Sequence, residues 1–343
     1  MKKKIVIIII CLIIIGSVIT IGVVSYKKDQ KSLNITEEKL LTKGKEEKTN
    51  SNNRSQETSK NIQEEKSPEE KATNGNKNLE GSIDGYKKIQ KNLESNIKGI
   101  SLEEKIKKYL GNGIDRVGLI YYDLNSGEKI SINGDKICTA ASTYKVGMNM
   151  VAYNSIREGR LGVNEKLKYR TSMYESGTGI LQNQMSTTLK KPISVQKLLD
   201  YSIKYSDNIA TNMLSRRLGG VQAVRRKVCD ITGIQIDTKH NVITPEMEFR
   251  LLKEIYDNRD EEYNAHLIEV MKNTVFHDRI DKYIPSDIVA HKIGNYGSYT
   301  NDVGIVFADN PYIFVMYVDG LSNASEKIAE ISEIIYNYNS GVR

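Results

Sequence analysis

The chain has 343 residues, with 50 Lys and Arg against 43 Asp and Glu for a formal charge of +7, and three cysteines. That length holds one large domain, or two small ones, with appendages. Basic residues are spread among acidic ones and no basic patch is interleaved with aromatics, which argues for solubility and attraction to anionic polymers and against nucleic-acid binding.

The amino terminus reads first as a membrane signal. A basic head, residues 1–4, precedes a charge-free, mostly apolar run that we assign over 5–25. At about 20 residues the run is long enough to span a bilayer as a signal anchor. No small-x-small cleavage site is evident, and Ile8-Ile9-Ile10 before Cys11 is not a lipobox. The positive-inside rule places the head in the cytoplasm and everything beyond the run outside the cell. Because Cys11 lies in this run, at most one cysteine pair remains, Cys138 with Cys229, and no structural disulfide is expected.

Residues 26–81 are rich in Lys, Glu, Asn, Ser and Thr and have few apolar clusters. Such a segment cannot bury enough apolar surface to offset its chain entropy, and it reads as a disordered polar tether. Over 82–100, Tyr86, Ile89, Leu93 and Ile97 fall at helical spacing; the segment is either a short helix on the domain or more tether.

The folded domain is expected over 101–343. Ser101-Leu102-Glu103-Glu104 is a capping box ahead of Ile106, Tyr109 and Leu110, predicting a helix from Leu102. Val117 to Leu124 and Lys129 to Ile132 flank Asn125-Ser126-Gly127 as a hairpin. A second hairpin is expected from Asp302 to Phe307 and Ile313 to Val318, followed by an amphipathic helix from Glu326 to Tyr338. Strands at both ends with helical sequence between them predict an α+β domain: an antiparallel sheet from N- and C-terminal segments, flanked by helices, with a mostly helical subdomain inserted.

Three stretches carry candidate chemistry. Ser142 and Lys145 are three residues apart at the start of an apolar helix (Val146, Met148, Met150, Val151), so a lysine depressed by burial can reach a serine hydroxyl. Ser-x-x-Lys alone is weak, since Ser25, Ser95, Ser126 and Ser194 have it too. Ser206-Asp207-Asn208 follows a predicted helix through Val195, Leu198 and Leu199, and is also what a helix cap looks like. His291-Lys292-Ile293-Gly294-Asn295 precedes the second hairpin; an exposed strand end with a bend at Gly294 is its plain structural explanation.

Together and in this order, Ser-x-x-Lys, Ser-Asp-Asn and Lys-x-Gly form the signature set of penicillin-recognising active-site serine enzymes, and the chain resembles the class A β-lactamase-like family. The likeness extends through Asn212-Met213-Leu214 to Gly219-Gly220 and through Thr244-Pro245-Glu246-Met247. It implies Ser142 as acylated nucleophile, Lys145 as its proton acceptor and Ser206 as proton relay to the leaving nitrogen. It implies Asn208 as holder of the substrate amide, Lys292 as a positive field for a substrate carboxylate and Gly294 as a point of close approach. The oxyanion hole would be the backbone NH groups of Ser142 and Asn295.

Two positions depart from that pattern. Ile293 replaces the usual Thr or Ser and removes one hydrogen bond to the substrate carboxylate, worth about 0.5–1.5 kcal/mol; Ser298 and Thr300 are candidate substitutes. The family's Glu-x-x-x-Asn loop, whose glutamate activates the deacylating water, is missing, for Gly220 to Thr244 contains no glutamate. Asp237 is a candidate replacement within that interval, and Glu175 a candidate on one wall of the cleft. The four histidines show no metal-ligand spacing, so no metal and no cofactor are expected; His240, His266 and His277 read as peripheral and His291 as a cleft residue beside Lys292.

The amino-terminal run and the resemblance together imply a membrane-tethered, extracytoplasmic serine hydrolase, expected as a monomer. It would form an acyl-serine with a β-lactam or a peptidoglycan stem peptide of D-Ala-D-Ala type and turn β-lactams over slowly. The alternatives are a penicillin-binding D,D-carboxypeptidase, or a wall-binding module with little turnover.

Overall fold

The computed structural model describes residues 100–341. The expected anchor and tether, and nearly all of the 82–100 segment, lie outside those residues. Among the described residues no helix is long and apolar enough to cross a membrane.

The first element, α1 (Leu102–Leu110), begins at the expected capping box. Ser101 Oγ accepts from Glu104 N at 3.2 Å and Glu104 Oε2 accepts from Ser101 N at 3.1 Å. Strands β1 (Val117–Asp123) and β2 (Lys129–Ile132) form the first hairpin. Its turn is held by Asp123 Oδ1, which accepts from Asn125 N and Ser126 N. Near the other end, β7 (Val289–Tyr296), β8 (Tyr299–Val306) and β9 (Tyr312–Asp319) form a meander, so the second hairpin starts three residues earlier than expected and a third hairpin precedes it. The helix α8 (Ala324–Asn339) ends the fold.

These strands make one antiparallel sheet in the order β2-β1-β9-β8-β7, as an α+β fold built from both ends of the domain requires. Both faces are covered. Phe314, Met316 and Val318 of β9 pack with Leu102, Ile106, Ile328 and Ile335 under the two terminal helices, while Ile313, Val315 and Tyr317 join the larger core on the opposite side. Burial on both faces is why β9 reads as an unbroken apolar run instead of an alternation.

The inserted helices supply the second core: α2 (Tyr144–Arg157), α3 (Val195–Lys204), α4 (Asn208–Arg217), α5 (Val221–Thr232), α6 (Pro245–Asp257) and α7 (Glu262–Lys272). Two short strand pairs accompany them, β3 (Cys138–Thr139) with β6 (Val242–Ile243) and β4 (Lys166–Leu167) with β5 (Ile193–Ser194). Helix α2 is buried from Lys145 through Tyr153, which places it at the centre of this layer. Cys138 and Cys229 are both buried thiols.

Candidate active site

Ser142 lies in a single 3₁₀ turn, Ala141–Thr143, that leads directly into α2, so the serine precedes the α-helix instead of opening it. Ala141 has φ 50, a left-handed conformation that costs a non-glycine residue about 1–3 kcal/mol. Surrounding bonds hold it there. Asn241 Nδ2 donates to Ala141 O at 2.9 Å, Ala140 N donates to Asn241 O at 2.9 Å, and Thr143 Oγ1 donates to Ala140 O at 2.9 Å. Strand β7 presses on the same turn: a Cβ on Gly294 would stand 2.9 Å from Ala140 O and 3.1 Å from Ser142 N.

Lys145 is buried one turn further on. Its Nζ donates to Ser206 O at 2.7 Å, Ser206 Oγ at 3.1 Å and Asn208 Oδ1 at 2.8 Å, and these three bonds all go to the Ser206–Asn208 turn. Burial pulls its pKa down to about 7, against the opposing pull of Asp207 and Glu175. Lys292 is completely buried within β7, which excludes the exposed strand end. Its Nζ donates to Ser206 Oγ at 3.0 Å and to Ile293 O at 2.7 Å. Burial, then the neighbouring Lys145, holds its pKa well below the usual lysine value.

The Ser206–Asn208 turn is both a cap and part of the cleft, through different residues. Asp207 caps α4 by accepting from Ala210 N at 2.9 Å, and its other oxygen accepts from Leu181 N at 2.8 Å. That second bond draws the 174–181 loop against the turn; Gly179, at φ 112, permits it, since a Cβ there would lie 2.4 Å from the Asp207 carboxyl. Ser206 is left-handed at φ 49, a second strained non-glycine residue in the site. Thr178 Oγ1 donates to Ser206 O at 2.7 Å, Asn208 Nδ2 donates to Ser176 O at 3.2 Å, and Asn212 Nδ2 donates to Glu175 Oε2 at 2.9 Å.

A cleft of about 490 Å³ results, and Ser142, Lys145, Ser206, Asn208, Ile293 and Asn295 all line it. Lys292 sits behind Ser206 and outside that lining. Glu175 is on the wall, as the sequence suggested, and is the one carboxylate among the residues lining the cleft.

Residues 101–339 match the family described as the beta-lactamase enzyme family. The chain belongs to the beta-lactamase enzyme family. It is 24% identical to the beta-lactamase VEB-1 of Pseudomonas aeruginosa over 71% of this chain and 92% of that one. It is 25% identical to the imipenem-hydrolyzing beta-lactamase of Enterobacter cloacae, over 70% and 89%. Among solved structures, PBP-A is similar at TM-score 0.63 and 25% identity, covering 70% of this chain and 96% of its own.

In this family member several sequence expectations are relocated. Asp237 is exposed beside a neighbouring hollow and its carboxylate is engaged with Lys239 N at 2.8 Å and His240 Nδ1 at 2.5 Å. Asn241, four residues on, is the part of that loop that lines the cleft. His291 does not line the cleft: successive strand residues face opposite ways, and its ring is held through Nδ1 by Asp302, while its Nε2 faces Asp281 Oδ2 at 3.4 Å without a hydrogen bond. Ser298 donates to Asp319 Oδ1 at 2.7 Å, and neither it nor Thr300 lines the cleft as a substitute for the hydroxyl missing at Ile293.

Two supports carried no sequence signal. Arg279, 2% exposed, donates through Nη2 to Asn295 Oδ1 at 2.8 Å and through Nη1 to Asn301 O at 2.7 Å, fixing the strand end that borders the cleft. Beneath Ser142, Tyr317 Oη lies 2.8 Å from Thr143 Oγ1 and 2.9 Å from Glu248 Oε2. Burial pushes the Glu248 carboxyl up to about 8, although Tyr317 opposes the shift.

Proposed function

We propose that this chain is an acyl-serine hydrolase of class A type that is acylated by β-lactams or by wall peptides ending in D-Ala-D-Ala, and that its release of a β-lactam-derived acyl group is slow. The observation that carries this reading is the convergence of Ser142, Lys145, Ser206 and Asn208, from separate segments, on one cleft. Neutral Lys145 takes the proton from Ser142 as Oγ bonds to the carbonyl carbon. The backbone NH groups of Ser142 and Asn295 receive the oxyanion. As the carbon–nitrogen bond breaks, Ser206 passes a proton to the leaving nitrogen and is resupplied from the lysines beside it, leaving an ester on Ser142. Asn208 holds the substrate amide, and Lys292, from behind Ser206 and in its protonated form, provides a positive field toward a substrate carboxylate. A comparable event is known in PBP-A, a mutant of which forms an acyl-enzyme complex with penicillin G.

Slow release follows from what surrounds the ester. Helix α5 takes up residues 221–232 of the interval where the family's base would stand, and the rest of that interval brings Asn241, not Asp237, to the cleft. Glu175 is left as the carboxylate able to activate water there. An enzyme slow to clear a penicilloyl ester is suited to a D,D-carboxypeptidase role, and if release stops altogether, to a wall-binding one. The 5–25 run and the polar segment after it would hold the domain outside the cell on the membrane. The deciding experiment is intact mass of the chain mixed with benzylpenicillin over time, beside Ser142→Ala. A persistent adduct on Ser142 supports slow release; rapid return to free protein with penicilloate formed replaces it with a fast lactamase; no adduct and no product overturns the β-lactam reading.

A further inference from the structure

We propose that His277, Asp281 and His291 form a binding site for one divalent metal ion of the zinc class, outside the cleft but on the strand that carries Lys292. One ligand atom from each residue lies within 4.8 Å of the others. His291 is completely buried, yet its Nε2 makes no hydrogen bond, and neither does the buried Asp281 Oδ1. The far side of that imidazole is fixed: both oxygens of Asp302 lie 2.9–3.0 Å from His291 Nδ1. A carboxylate behind a histidine sets the tautomer and aims the opposite nitrogen, the usual outer support of a metal-bound imidazole.

The buried edge of the cluster has the spacing of a tetrahedral ion. His291 Nε2 is 3.4 Å from Asp281 Oδ2, and bonds of about 2.0–2.2 Å to zinc give ligand–ligand edges of roughly 3.3–3.6 Å. His277 Nδ1 contacts that same oxygen, and its side chain is 52% exposed, so it can turn to admit the ion and leave a fourth position to water. Two imidazoles and one carboxylate favour zinc-like ions over magnesium or calcium, which prefer oxygen. The ion would replace the protons that the cluster shares and tie the 277–281 segment to β7.

The test titrates the full, untagged, chelator-stripped chain with Co²⁺ and follows its visible d–d absorption, with Zn²⁺ as competitor. The expected result is one equivalent with the intense bands of a four-coordinate N/O site, bleached by Zn²⁺. His277→Ala, which removes a half-exposed side chain, should weaken binding by about tenfold or more, while His240→Ala leaves it unchanged. Absence of a saturable signal from the unaltered chain overturns the site, as does binding indifferent to His277→Ala or equally reduced by His240→Ala.

Discussion

Lys145 and Lys292 aim their terminal nitrogens at one hydroxyl, approaching Ser206 Oγ from 3.1 and 3.0 Å. A hydroxyl can accept two donors, but two cations this close inside a buried site are mutually unfavourable. The conflict is relieved if one lysine is neutral, and Lys145, pulled down to about 7, is the one whose neutral form the proposed chemistry uses.

The pH dependence of acylation follows. Below the Lys145 pKa the base is protonated, so the acylation rate constant should rise about tenfold per pH unit and level off above about pH 7. Stopped-flow acylation with a chromogenic β-lactam measures this directly, and a rate flat from about pH 5.5 to about pH 8.5 would remove Lys145 as the base. Lys145→Arg, which stays charged, should lower the plateau by about 10²–10⁴.

Gly294 should be intolerant of any side chain. A methyl there meets Ala140 O at 2.9 Å and Ser142 N at 3.1 Å, both backbone atoms of the strained turn that presents the serine. Gly294→Ala is expected to cost about 1–3 kcal/mol of stability and at least tenfold in acylation, by parting β7 from that turn. Urea unfolding and acylation kinetics on the same preparation check both; unchanged acylation would mean that the contact does not position Ser142.

Glu175 acts, in the proposed scheme, after acylation. Asn212 fixes its carboxylate on the cleft wall at 2.9 Å. Glu175→Gln should leave adduct formation within about threefold and lengthen adduct lifetime by about 10²-fold or more, the scale of a lost general base. Asp237→Asn should alter neither, since that carboxylate is turned to His240 and Lys239. Equal adduct lifetimes in unaltered chain and Glu175→Gln would leave water activation to another group.

How far the sequence reaches differs between these residues. The capping box at Ser101, the hairpin turn at Asn125 and the apolar run of β9 are local patterns, and each became the element it predicts. The three motifs were legible as a set, yet their geometry was not. Nothing in Ala or Ser announces a left-handed backbone, so the strain at Ala141 and Ser206 is visible only where neighbours impose it. Asp237 and Asn241 show the limit of spacing in a loop: without a helical or strand period, four residues say nothing about which side chain faces the cleft. Arg279 and Glu248 were missed because their partners are distant in sequence; Glu248 meets Tyr317 across 69 positions.

Glu248 supports a further prediction about stability. Thr143 gives its hydroxyl proton to Ala140 O, and Tyr317 has a single proton to share between Thr143 and Glu248. Each link from Glu248 Oε2 through Tyr317 and Thr143 to Ala140 O has one donor when Glu248 is itself protonated and donates to Tyr317, which then donates to Thr143; the buried Oε1, which has no partner, also favours the uncharged carboxyl. Its pKa, about 8 in the folded protein against an ordinary 4.5, fixes the sign. Between those values the folded chain retains a proton that the unfolded chain has released, so this group makes stability fall as pH rises through that window. The slope approaches about 1.4 kcal/mol per pH unit at most. Glu248→Gln keeps a donor for Tyr317 and removes the titration. It should change stability by less than about 1 kcal/mol near pH 5 and be more stable than the unaltered chain by roughly 2–4 kcal/mol near pH 9. Urea unfolding at both pH values decides it: parallel pH dependences for the two proteins would show that Glu248 is ionised in the folded state and that the hydrogen-bond chain under Ser142 runs the other way.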